Sequence, residues 1–212
     1  MRAILIAASL TASVASAAPS PAPGTYTNEE EVYFDREAKR TPAPWIGILV
    51  DAGGKVAFLD AYGKPAKPVT FKTLTPSEIE GRVRMTLADG RATELRLARS
   101  ATCWGAVRKD VKKPDGSDDY DGKFGLKLHD QGGRVAFGGP GAGSPPVILR
   151  MRNVIWPSGP NRPSLVLYVH TPDQPDHAVS YSWADSEAKT VGINLRWMQG
   201  SCTIDNPEGG RK

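Results

Sequence analysis

Apolar and polar positions alternate with a period of two over much of the chain. In Arg82-Val83-Arg84-Met85-Thr86-Leu87 every second side chain is apolar, and the pattern resumes in Leu95-Arg96-Leu97 after Asp89-Gly90. Successive side chains of a strand point to opposite faces, so this spacing predicts a hairpin with one buried and one solvated face. A strict two-residue turn would set Met85 opposite Glu94. Pairing Met85 with Leu95 and Val83 with Leu97 needs one extra residue, which predicts a bulge near Gly90 or Arg91. A second hairpin is expected to set Leu128 opposite Val135 and Leu126 opposite Phe137 across Asp130-Gln131-Gly132-Gly133. A third joins Val179, Tyr181 and Trp183 to Val191, Ile193 and Leu195, with Tyr181, Trp183 and Trp197 facing inward as core. Further strands are predicted at 32–35, 45–50, 56–61, 69–74, 147–151 and 165–170. About eleven short strands with no amphipathic helix of any length predict an all-β antiparallel sandwich or barrel.

One pattern recurs. Leu49-Val50-Asp51-Ala52-Gly53-Gly54-Lys55-Val56-Ala57-Phe58 matches Leu128-His129-Asp130-Gln131-Gly132-Gly133-Arg134-Val135-Ala136-Phe137 at seven of ten positions. Ala88-Asp89 and Ala184-Asp185 then enter later turns, and a cysteine follows in each case, Cys103 and Cys202. Three landmarks in one order suggest two duplicated halves, 44–104 and 123–205, forming one body about a pseudo-two-fold axis near the cysteines. Residues 105–122 would be a charged linker between them, and 18–43 a tether carrying the first strand.

Composition adds a compartment. With 22 glycines and 18 prolines in 212 residues the chain is turn-rich, and its 40% hydrophobic and 24% charged content is that of a globular protein. Met1-Arg2, an apolar run from Ala3 to Ala12 and Ala15-Ser16-Ala17 read as a signal peptide over 1–17. No later stretch approaches the roughly 18 apolar residues of a spanning helix, so the expected protein is periplasmic or secreted. Residues 206–212 read as a disordered polar tail. In an oxidising compartment Cys103 and Cys202 are expected to pair, closing a loop worth about 4 to 5 kcal/mol on the chain-entropy model. With no Cys-x-x-Cys and no nearby histidine, redox-active or metal-binding thiols have less to recommend them.

The candidate chemistry is sparse. From 82 to 113 there are nine basic and three acidic residues, and Arg82, Arg84 and Arg96 share one hairpin face that could meet an anionic partner. No aromatic residues are interleaved with these arginines, so nucleic acid is not expected. Asp118, Asp119 and Asp121 precede Gly122 and could gather oxygens round Ca²⁺, and no other cofactor is expected. Against this, Ser117 would hold the first ligand position and Leu128 the place of the bidentate glutamate. His129 should point outward beside a turn. His170 and His177, with Asp173 or Asp176, could converge as a proton-transfer site if the intervening loop is tight. No nucleophile elbow, zinc-protease helix or phosphate loop is present in the sequence. The reading is a non-enzymatic binding or interaction module of the cell envelope, whose partner is an anionic component, a small ligand or a protein. The alternative is an envelope-polymer hydrolase using carboxylates or the His170/His177 pair.

Overall fold

The computed structural model describes residues 20–157 and 159–205. The expected signal peptide and polar tail lie outside the described residues. The described residues are all-β, with fourteen strands in three antiparallel sheets and one α-helix. Six strands make the first sheet: β1 (Gly24–Thr27), β2 (Gly47–Val50), β3 (Val56–Leu59), β4 (Phe71–Pro76), β5 (Arg82–Leu87) and β6 (Ala92–Leu97), in the spatial order β3-β2-β1-β6-β5-β4. The other eight form two four-stranded sheets that pack as a sandwich. One contains β9 (Gln131–Gly139), β10 (Ser144–Val154), β11 (Ser164–His170) and β12 (Ser180–Asp185), in the order β12-β11-β10-β9. The other contains β7 (Ser100–Arg108), β8 (Tyr120–His129), β13 (Thr190–Asn194) and β14 (Met198–Ile204), in the order β13-β14-β7-β8.

Two cores follow. Ile48, Val83, Met85 and Leu95 fill the first sheet's inner face. Leu149, Met151, Leu165, Leu167, Val107 and Met198 fill the sandwich. Gly105 on β7 is one point of sheet-to-sheet contact: a Cβ there would collide with the Phe137 ring of β9, so only glycine lets the aromatic close the gap. No helix among the described residues is long and apolar enough to cross a membrane.

The hairpin β5–β6 forms as the alternation predicts, and Val83, Met85 and Leu95 share its buried face. Its register differs, with Val83 opposite Leu95 and Met85 opposite Thr93. The loop holds three residues, Ala88 to Gly90, closed by the Leu87 N–H on the Arg91 carbonyl at 2.8 Å. Gly90 sits at φ 91°, the left-handed position of a bulged turn. The bulged turn falls at Gly90 as expected, but the strands pair two residues away from the expected register, a shift that keeps the same faces.

Other expectations are corrected. Residues 32–35 are not a strand but part of helix α1 (Glu29–Glu37). Glu29, Glu30 and Glu31 occupy its first turn and Arg36 its last, which complements the helix dipole at both ends. The second and third hairpins are not hairpins, because β8 and β9 lie in different sheets, as do β12 and β13. Both connections are corners that carry the chain from one layer of the sandwich to the other.

The two similar segments therefore take different structures. In the first, Asp51 Oδ1 accepts the Gly53 and Lys55 N–H groups at 2.8 and 2.9 Å, capping an exposed turn that sets Val50 opposite Val56. In the second, Asp130 is buried and accepts from the Arg99 N–H and Arg99 Nε at 2.8 and 2.6 Å, tying the corner to the end of the first sheet. The same letters serve a solvated turn and a buried junction, so they are not equivalent hairpins of two duplicated halves. Nor does a boundary fall at Trp104. β7 already belongs to the sandwich, and the chain leaves the first sheet at Ala98-Arg99.

Cys103 and Cys202 form the expected disulfide. They face each other on the paired strands β7 and β14 with Cα atoms 4.0 Å apart, so the bridge ties two strands of one sheet.

Candidate functional site

The outer face of the β9–β12 sheet carries the most unusual chemistry in the molecule. Register fixes its rows. Arg134, Arg150, Tyr168 and Tyr181 stand side by side across the four strands, and Arg152, Val166 and Trp183 form the next row. The alternate residues Leu149, Met151, Leu165 and Leu167 point inward and are fully buried. One sheet face is thus divided: guanidinium groups on β9 and β10, rings on β11 and β12.

Helix α1 covers the basic half. Glu29 ion-pairs with Arg150, lies 3.7 Å from Arg152 Nε, and accepts the Trp45 Nε1–H at 2.8 Å. Gly132, at φ +83°, makes room: a Cβ there would stand 2.6 Å from Glu29 Cγ. Arg152, 3% exposed, lies 3.8 Å beneath the centre of the Tyr33 ring, and Arg150 lies 5.8 Å from that of Tyr168. Two buried guanidinium groups thus share one carboxylate, and Arg150 Nε and Arg152 Nη2 have no hydrogen-bond partner. Burial, and behind it the charge of Arg152, pulls Arg150 down to about 10.

The aromatic half is open. Tyr181 and Trp183 are 64% and 70% exposed, while Ser180, Ser182 and Ala184 take the inward positions of β12. This reverses the expectation that Tyr181 and Trp183 pack into the core. Together with Tyr33, Trp156 and Tyr168 they line a groove of about 590 Å³, within the range of small-ligand sites. Tyr168 and Tyr181 are 6.2 Å apart between ring centres, and Phe34 of α1 meets Trp156 edge-on at 6.0 Å. Asn161, Arg162 and Ser164 supply the polar rim.

The residues singled out from the sequence lie elsewhere. Arg82, Arg84 and Arg96 do share a face of β5–β6, with Arg82 opposite Arg96. Helix α1 reaches over it, however. Arg96 pairs with Glu30 at 3.3 Å and donates to the Asn153 carbonyl at 3.0 Å, and Arg84 stands 3.7 Å from Glu94. Glu30, Glu31 and Glu94 line the same cavity as Arg82 and Arg96, so this is a mixed-charge seam. Asp118, Asp119 and Asp121 each face a cation of their own: Arg108 at 3.7 Å, Lys109 at 2.8 Å and Lys123 at 3.5 Å.

His170 is buried beside Arg134 and Arg150 on the covered half, and its ring nitrogens make no hydrogen bond. Burial first, then those two arginines, pushes it down to about 4, although the Gln174 and His177 carbonyls oppose the shift. His177 is exposed on the following loop, and Asp176 turns to Arg134 at 3.5 Å. Asp173 is exposed, its carboxyl held low chiefly by the Thr171 hydroxyl. His129 is half-buried and not turned fully outward. Its Nδ1 accepts the Gln131 N–H at 3.3 Å, and burial lowers it to about 4.

Tyr33, Trp156, Tyr168, Asn161 and Arg162 carried no signal in the sequence as site residues. The readable clue was on β12, where small Ser182 and Ala184 alternate with large Tyr181 and Trp183 and either set could face inward. The fold and site define an all-β, disulfide-bonded protein with an open aromatic groove on one sandwich face. The chain matches no known protein family, no curated protein and no solved structure.

Proposed function

We propose that this is a non-catalytic binding protein of the cell envelope or extracellular space, and that its ligand is a glycan chain held in the aromatic groove. One observation carries the reading: Tyr181 and Trp183 are exposed on a strand whose inward positions are Ser182 and Ala184. Leaving large apolar rings in water forgoes the free energy of burying them, and a cluster of such rings on a sheet face is the usual mark of a binding surface. A sugar ring offers flat C–H faces edged by hydroxyl groups. The groove offers flat rings edged by tyrosine hydroxyls, Asn161, Ser164 and Arg162, and it is open enough to admit a chain.

The test is retention of the full chain on insoluble cell-wall glycan, chitin and cellulose, with and without the double substitution Tyr181→Ala and Trp183→Ala. Retention on at least one glycan is expected, with a loss of ten-fold or more, about 1.4 kcal/mol, in the double variant. Retention on none of the three, or equal retention by the double variant, overturns the proposal.

A further inference from the structure

An aromatic-lined groove taken alone suits a cationic ligand, because ring faces attract positive charge. Here those faces are already engaged from behind. Arg152 lies against Tyr33 and Arg150 near Tyr168, and the two together outnumber Glu29, the one carboxylate that reaches them both. Asp176 pairs with Arg134 at 3.5 Å and also faces Arg150, and Glu37 lies near Tyr33. The groove's own described lining contains one charged side chain, Arg162, and no acid. Arg162 is exposed, and among the described residues its guanidinium makes no ion pair and no hydrogen bond. The ring faces of Tyr33 and Tyr168 are thus met from behind by guanidinium groups, and a free planar fork of donors stands at the rim.

We infer that the glycan is acidic, a chain bearing carboxylates of the uronic-acid type, with Arg162 reading the carboxylate while the rings of Tyr181 and Trp183 stack on the sugar. This rests on the glycan reading above and adds the charge of the ligand to it. A guanidinium matches a carboxylate with two parallel hydrogen bonds, which a hydroxyl or an ester does not reproduce. Stacking gives affinity for sugar rings in general, and Arg162 gives the preference among them.

Polygalacturonate and its fully methyl-esterified form separate the two contributions, because they share a backbone and differ in charge. Binding of both to the full-length protein would be measured by affinity electrophoresis and calorimetry, at low and at physiological salt. The acid form is expected to bind at least ten-fold more tightly. Arg162→Gln should remove that preference by weakening the acid form at least ten-fold and the ester by less, whereas Trp183→Ala should weaken both forms alike. The substituted arginine is exposed on the loop between β10 and β11, so the variant keeps the fold. Equal affinity for acid and ester, or a preference that survives R162Q, overturns the acidic ligand while Trp183-dependent binding still upholds the groove. Failure of both polymers to bind, with retention on a neutral glycan that Trp183→Ala abolishes, does the same. Absence of binding to every glycan overturns both readings.

Discussion

The outer faces of β5–β6 and of β11–β12 are both made by strict alternation, and they are used in opposite ways. On β5 the large apolar residues Val83, Met85 and Leu87 go inward and the charged ones outward. That outer face is then closed by α1, whose Glu30 and Glu31 join Glu94 among the arginines. On β12 the large residues go outward and the small ones inward. The difference lies in who fills the core. Beneath β11–β12 the sandwich is already packed by Leu149, Met151, Leu165 and Leu167, all fully buried. An edge strand in that position needs only Ser182 and Ala184 to complete the interior, so its rings are free for a ligand. The core beneath β5–β6 is shared only with Tyr26, Ile46, Ile48 and Val50, so Val83, Met85, Leu87 and Leu95 are needed to fill it.

The largest effect should come from uncovering the basic half. Glu29→Gln leaves Arg150 and Arg152 buried without their carboxylate, which should cost about 3–5 kcal/mol in urea denaturation. A loss below about 1 kcal/mol would mean that α1 is held over this face by packing and not by charge. The next prediction sets the two strands against each other. Met85→Ala should cost about 2–5 kcal/mol through the cavity it leaves, whereas Trp183→Ala should stay within about 0.5 kcal/mol. Equal losses would make Trp183 a structural residue and take away the observation on which the groove rests.

The same contrast explains what the sequence made legible. Alternation of large apolar with charged residues has one physical reading, and it located β5–β6, its buried face and its bulged turn, with the register two residues off. Alternation of aromatic with small residues has two readings, and choosing the larger set as core put Tyr181 and Trp183 on the wrong face. β7 and β14 escaped notice because their inward positions include Ala101, Cys103 and Gly105 on one and Gly200 and Cys202 on the other, residues too small to mark a period. The Asp-x-Gly-Gly turns misled for a related reason. A capped turn is local chemistry, but whether the chain then returns in the same sheet or crosses to the other is decided by what it meets. Asp51 meets solvent and Asp130 meets Arg99. The site itself gathers Tyr33, Trp156 and Trp183 from widely separated segments, and no local pattern records that.

The smallest predicted effect concerns His170, which lies on β11 two residues from Tyr168, where the covered half of the face meets the open one. Folding lowers its pKa from 6.5 to about 4, chiefly by burial and then by Arg150 and Arg134, and His129 is lowered to about 4 by burial. Between these values the unfolded chain binds protons that the folded chain does not, so both histidines should make stability fall as pH drops from 6.5 toward 4. Above 6.5 they contribute no slope, and below 4 both states are protonated. His170→Gln should remove one of the two contributions, halving the histidine part of the slope of unfolding free energy against pH, whatever its effect at neutral pH. NMR of the wild-type ring gives a check that does not require the variant to fold well: the His170 resonances should not titrate above pH 5. A ring that titrates near 6.5 would show that water reaches the covered half as freely as it reaches Trp183, and the division of this sheet face into closed and open halves would no longer stand.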